Sequence, residues 1–161
     1  MTDAKEFQGA LERALEIGYR HLGRRDRTTA QLRRHLVARE VPEATIDAAV
    51  QELVRQGYLD DARYARVFVE DRRSLDGWGS ERIERKLLAA GVDGELVAAA
   101  LGARDGAGEL HAAVALLRRR YRELPASDRE RERALGLLVR KGYDLELAYD
   151  AVRTFEGANA P

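Results

Sequence analysis

Five columns of apolar residues recur along the chain at a spacing of 51 positions, and this spacing limits the possible folds more than any other feature. Leu36, Leu87 and Leu138 form one column; Val41, Val92 and Tyr143 form the next. Ile46, Val97 and Ala148, then Ala49, Ala100 and Ala151, then Val50, Leu101 and Val152 complete the set. Chance rarely keeps five columns in register over three copies. A fixed period of this size marks a repeat array rather than one mixed core. The chain of 161 residues holds three copies, expected over 1–57, 58–106 and 107–161.

Within each copy the pattern is helical. Phe7, Leu11, Leu15, Tyr19 and Leu22 recur every three to four residues, and Ile46, Ala49, Val50, Leu53 and Val54 mark a second amphipathic face. No segment sustains period-two alternation between turn signals, so no sheet is expected. Each copy reads as three helices. The first helices are expected over about 5–23, 60–74 and 108–123, the second over 28–40, 80–90 and 127–141, the third over 43–56, 94–102 and 145–155. Thr28 with Gln31 and Ser127 with Glu130 have the spacing of capping boxes, and Ser80 sits where a cap belongs. Gly91 and Gly142 suit the left-handed residue that ends a helix, and Pro42 suits a first helical position. The expected fold is all-α: three tandem three-helix, helix-turn-helix-like repeats in an elongated array. A unit of about 50 residues is marginal alone, so neighbours are expected to share core.

Composition excludes several classes. Lys+Arg and Asp+Glu both number 28, so net charge does not advertise nucleic acid. Without cysteine there is no disulfide scaffold, thiolate metal site or cysteine nucleophile. No uninterrupted apolar stretch is longer than Leu96 to Leu101, which is far short of the roughly 20 residues that span a bilayer. The N-terminus lacks the basic-then-apolar pattern of a signal peptide. A soluble, cytoplasmic protein with no membrane association is expected.

Candidate chemistry is sparse. His21, His35 and His111 lie far apart in sequence on separate helices, with no metal-ligand spacing between them. Asp60-Asp61 opens a helix, where carboxylates cap free N–H groups. Gly77-Trp78-Gly79 lacks the preceding strand and the lysine of a phosphate loop. No catalytic residue, metal or cofactor is expected.

The arginines stand out by placement. They number 25 against three lysines, and Arg offers a planar fork of donors suited to carboxylates and phosphates. Arg20, Arg24, Arg25 and Arg27, then Arg72 and Arg73, then Arg118, Arg119, Arg120 and Arg122 fall where the first helices end. The second helices add Arg33, Arg34 and Arg39, then Arg82, Arg85 and Lys86, then Arg129, Arg131 and Arg133. Two readings stand side by side: cations that complement helix dipoles and form solvated pairs, or a broken basic ladder following a phosphate backbone or acidic groove. The third helices carry acidic Glu43, Asp47, Glu95, Glu146 and Asp150, which disfavours a major-groove operator reader.

The run Gly57-Tyr58-Leu59-Asp60-Asp61-Ala62-Arg63-Tyr64-Ala65 resembles the signature of the RecX family, regulators of the bacterial RecA recombinase. Thr28-Thr29-Ala30-Gln31-Leu32 and Val41-Pro42-Glu43 before it, and Gly77-Trp78-Gly79-Ser80-Glu81-Arg82-Ile83 with Leu87 and Gly91-Val92 after it, match in order and spacing. The resemblance covers about residues 10–155, with the third repeat matching only loosely. A serine is usual in the family where Thr28 or Thr29 stands. The resemblance implies a non-catalytic protein that binds the RecA–DNA filament, with weak binding to single- or double-stranded DNA; a monomer is expected. It implies suppression of ATP hydrolysis, strand exchange and co-protease activity. Candidate contacts are Arg24, Arg25, Arg27, Arg33, Arg34, Arg72, Arg73, Arg82, Arg85, Lys86, Arg118, Arg119, Arg120 and Arg122; the motif does not choose among them. Tyr58, Leu59, Tyr64 and Phe68 are expected to be buried at a repeat junction, with Trp78 as an inter-repeat plug. The alternative is a helical-repeat protein that binds DNA directly.

Overall fold

Nine helices follow one another in the computed structural model, which describes residues 2–102, 106–123 and 125–157, and each falls where the apolar period puts one. They are α1 (Thr2–Leu22), α2 (Thr29–Val37), α3 (Glu43–Arg55), α4 (Asp61–Ser74), α5 (Ser80–Ala89), α6 (Gly94–Leu101), α7 (Gly106–Arg120), α8 (Asp128–Lys141) and α9 (Leu145–Gly157). No strand occurs among the described residues. α7 stops at Arg120, so Arg122, expected inside that helix, lies beyond its end.

The chain divides into two compact units: Met1–Ala65 with Leu87–Val97, and Arg66–Lys86 with Ala98–Pro161. In the first, α1 packs on α2 and α3 around Ala14, Leu32, Leu36, Ile46, Ala49, Val50, Leu53 and Leu59. In the second, α9 packs on α7 and α8 around Ala113, Val114, Leu117, Leu138, Tyr143, Ala148, Val152 and Phe155. The periodic columns supply much of the buried set. Leu36, Leu87 and Leu138 are each 0% exposed, and burial of such a side chain stabilises by about 2–3 kcal/mol. In the five columns only Val41, Ala100 and Leu101 stay partly exposed.

Local details correct the sequence expectations. On α1 the buried line runs through Ala14 and Gly18, while Phe7 is 42% exposed. A Cβ on Gly18 would stand 2.8 Å from Leu53 Cδ1, so small residues, not the large ones, set how closely α1 approaches α3. Thr28 forms the full capping box with Gln31. At Ser127 the box is half-made: its hydroxyl accepts from the Glu130 N–H, but the Glu130 carboxylate takes the Ala126 N–H at 2.7 Å. Ser80 is no cap; it is already helical, and its hydroxyl donates to Glu109. Pro42 is the N-cap of α3, one residue before the expected position, with its carbonyl accepting from Thr45 and Ile46.

One junction is built twice. In the first unit, the Thr28 hydroxyl donates to the Ala90 carbonyl at 2.6 Å and Ala30 lies against Gly91. In the second, the Gly79 N–H donates to the Lys141 carbonyl at 2.8 Å and Arg82 lies against Gly142. Thr28 and Gly79 are 51 positions apart, as are Ala90 and Lys141. The start of one second helix thus seats on the turn that follows the next. Gly91 and Gly142 have φ of 84° and 92°, and a Cβ on either would overlap the chain seated against it. The matching residue of the first copy is Glu40, also left-handed at φ 57° but exposed. The exposed turn keeps the same shape and carries a side chain.

Candidate basic interaction surface

The Gly57–Ala65 run closes the first unit. Leu59 is 1% exposed and Ala65 is fully buried. Asp60 caps α4, its carboxylate accepting from the Arg63 N–H at 2.9 Å. Asp61, expected to cap its own helix, reaches instead to the start of α2, accepting from the Thr29 N–H at 2.8 Å and the Thr29 hydroxyl at 3.2 Å. Tyr58 is not buried but 53% exposed, its ring edge-on to Tyr19 with centroids 5.0 Å apart. Tyr64 and Phe68 are half-buried.

The fourteen candidate cations divide by environment. Arg33 pairs with Asp47 at 2.6 Å, and Arg72 with Asp76 at 2.5 Å. Arg73 donates to the Ser80 hydroxyl at 3.1 Å and lies 3.7 Å from the buried Glu109. Arg82 lies over the Trp78 ring at 4.0 Å and donates to the Arg140 carbonyl at 2.9 Å. These four serve the fold. Trp78 is half-buried, its ring T-shaped to Phe68 with centroids 6.3 Å apart, and Arg82 covers one of its faces.

Arg24, Arg25 and Arg34 in the first unit, and Arg85, Lys86, Arg118, Arg119, Arg120 and Arg122 in the second, are exposed. Arg27 is half-buried, and its Nε lacks a hydrogen-bond partner. The densest group is Arg118–Arg120 in the last turn of α7, with Arg122 just beyond. Successive helical residues turn by about 100°, so three adjacent arginines fan around the helix end and cannot all cap its carbonyls. What remains is a compact positive patch able to meet carboxylates or phosphates.

The fold also joins two histidines that the sequence kept apart. The rings of His21, on α1, and His35, on α2, stack with centroids 3.5 Å apart and planes 18° from parallel. Arg39 donates to His35 Nδ1 and to the His35 carbonyl, both at 3.2 Å. A guanidinium only donates, so Nδ1 is the acceptor and the proton of the neutral ring sits on Nε2. Burial, the neighbouring ring, and Arg27, Arg39 and Arg24 hold the pKa of His21 below the usual histidine value. Burial and the same arginines do so for His35, Arg39 leading. Among the described residues no group of three or more ligating side chains could hold a metal ion.

The family model of the RecX first three-helix domain matches residues 14–53, and that of the second three-helix domain matches residues 60–101. The regulatory protein RecX of Thermobifida fusca is 38% identical over 144 residues, spanning 88% of this chain and 77% of that protein. The chain belongs to the RecX family. A second relative, the regulatory protein RecX of Mycolicibacterium vanbaalenii, is 34% identical and covers 98% of the chain and 90% of its own length. Among solved structures, RecX from Lactobacillus salivarius superposes with a TM-score of 0.78 at 17% identity, over 92% of this chain and 98% of that one. Another crystal structure of a regulatory protein RecX gives 0.76 at 22%, over 95% and 76%. At these identities the two structures speak for the RecX fold alone.

In RecX terms, the first matched domain holds the C-terminal part of α1 with α2 and most of α3, and the second holds α4 to α6. The RecX signature run lies mostly in the second match; its second aspartate, Asp61, ties that segment back to α2, while Asp60 caps α4. Leu59, Asp60, Asp61 and Ala65 of the run thus serve the fold. Among the described residues, no RecX helix here is long and apolar enough to cross a membrane.

Proposed function

We propose that this chain binds the RecA–DNA filament and lowers its ATPase, strand-exchange and co-protease activities in recombination and repair. Membership of a family of regulatory proteins carries this reading. In it, the chain works in the cytoplasm as a monomer without catalysis of its own, and Arg118, Arg119, Arg120 and Arg122 face the filament with Arg24, Arg25, Arg34, Arg85 and Lys86 in support. A net charge of zero suits this role, because long-range attraction to bulk DNA is weak while local patches still act at close range.

The same exposed arginines favour, as a second reading, direct binding to naked DNA. Cosedimentation with preassembled RecA filaments, beside binding to the same DNA without RecA over a range of salt, separates the two. Tight filament binding with weak DNA binding supports the proposal. Strong binding to naked duplex, with a log–log salt slope of about −0.9 per phosphate contacted, supports the second reading.

A further inference from the structure

A small cleft of about 100 Å³ opens between the last turns of α1 and α2, lined by Ile17, Arg20, His21, Arg24, His35 and Arg39. Its charge is one-sided. Arg20 is paired with Glu16 at 3.1 Å on the outer face of α1, but no carboxylate lines the cleft. Arg24, Arg27 and Arg39 all bear on the two rings, and the buried Nε of Arg27 has no acceptor. A metal cation would meet these guanidiniums and only two imidazoles, so the cluster repels the ligand that a histidine pair ordinarily suggests. It suits an anion.

Part of each helix end is already satisfied. Carbonyls at a C-terminus repel anions when bare. Here the Gly23 N–H takes the Tyr19 carbonyl at 2.9 Å, the Ala38 N–H takes that of Arg34 at 3.0 Å, and Arg39 covers that of His35. The volume is a few times that of a water molecule, about 30 Å³, which suits one tetrahedral oxyanion.

We propose that this cleft is a phosphate-binding site in which Arg24 and Arg39 grip the oxygens and His21 and His35 donate ring N–H bonds. The reading goes beyond filament modulation and needs no recombinase. Bound phosphate places negative charge beside two rings now surrounded by cations, so a ring takes up a proton on binding. For a phosphodiester, whose charge is fixed, affinity therefore rises as pH falls toward the lowered pKa values of the free rings.

The test uses the whole chain alone, following the ring resonances of its three histidines by NMR over a pH series. Two probes are added separately: inorganic phosphate, and a short oligothymidylate without a terminal phosphate. His111, exposed on α7 in the other unit, serves as reference. Shifts confined to His21 and His35, with raised titration midpoints, support the site. A response to the oligothymidylate alone assigns a backbone phosphodiester, and to inorganic phosphate alone a free or terminal phosphate. The double variant Arg24→Gln, Arg39→Gln, with circular dichroism unchanged, should bind about tenfold more weakly or worse, the loss expected for two charge-assisted contacts. No shift with either probe, equal shifts at all three histidines, or unchanged binding by the folded double variant would overturn the proposal. Failure of filament binding would leave this result untouched, because no recombinase is present.

Discussion

Gly142 leaves no room for a side chain: a Cβ there would overlap the backbone of Arg82, which seats the start of α5 on the α8–α9 turn. Gly142→Ala therefore carries two costs, a left-handed φ on a residue with a Cβ and a steric overlap. Together these should destabilise by about 2–4 kcal/mol. Gly91→Ala should behave similarly through Ala30. Glu40→Gly, with the same φ sign and no chain against it, should instead be neutral or stabilise by up to about 1 kcal/mol. Urea unfolding of the three variants checks this, and equal losses at all three would contradict the junction.

The paired aspartates should separate by mechanism. Asp60→Ala removes a helix cap, at a cost of about 1 kcal/mol. Asp61→Ala strips the acceptor from both the N–H and the hydroxyl of Thr29, so it should cost about 1–3 kcal/mol. Asp61→Asn should recover part of that loss, because the amide oxygen still accepts. Thermal melting of the three variants gives the order; Asp60→Ala as the most damaging would refute the tie.

Stability should fall as pH drops below the ordinary histidine range. His21 and His35 have folded pKa values below the unfolded one, so the unfolded chain binds more protons there. Their contribution is complete above an unfolded pKa of about 6.5 and is lost as pH falls from there through the folded values. Glu52, held to about 2 by its hydrogen bonds from Arg55 and Gln56, acts in a lower window, below the usual carboxylate pKa. Chemical unfolding of the wild type and of His35→Gln across this range measures the first effect. It should shrink in the variant, and an unchanged pH profile would contradict the geometry.

Much of this fold was readable because burial follows the 51-residue period: Leu36, Leu87 and Leu138 could be named as core from spacing alone. Local rules carried less. Phe7 extends the amphipathic line of α1, yet Ala14 and Gly18 are buried because α1 lies so close to α3 that a larger residue would collide with Leu53. Thr28 and Gln31 complete each other as the motif predicts, whereas Glu130 finds the Ala126 N–H nearer than its expected partner. The candidate site was the least readable part. Arg33 and Arg72 look like Arg34 and Arg85 in sequence, and only the fold shows that Asp47 and Asp76 stand beside the first two. The His21–His35 stack had no sequence signal, since it depends on where two helices end relative to each other.

Reversing the α7 patch tests the interface directly. Arg118→Glu, Arg119→Glu and Arg120→Glu combined should leave helicity and melting nearly unchanged, because all three side chains are exposed and only weak dipole interactions and the Arg120 contact over the Tyr121 ring are lost. Filament binding should weaken by at least about tenfold. A folded triple variant that inhibits as well as the wild type removes this patch from the interface.

The central measurement is ATP hydrolysis by cognate RecA preassembled on single-stranded DNA, titrated with this protein at substoichiometric ratios. The account predicts suppression well below one modulator per recombinase subunit, as expected for action on the filament through blocked growth or capped ends. Hydrolysis unchanged up to saturating concentrations would contradict it and shift the function to direct DNA binding.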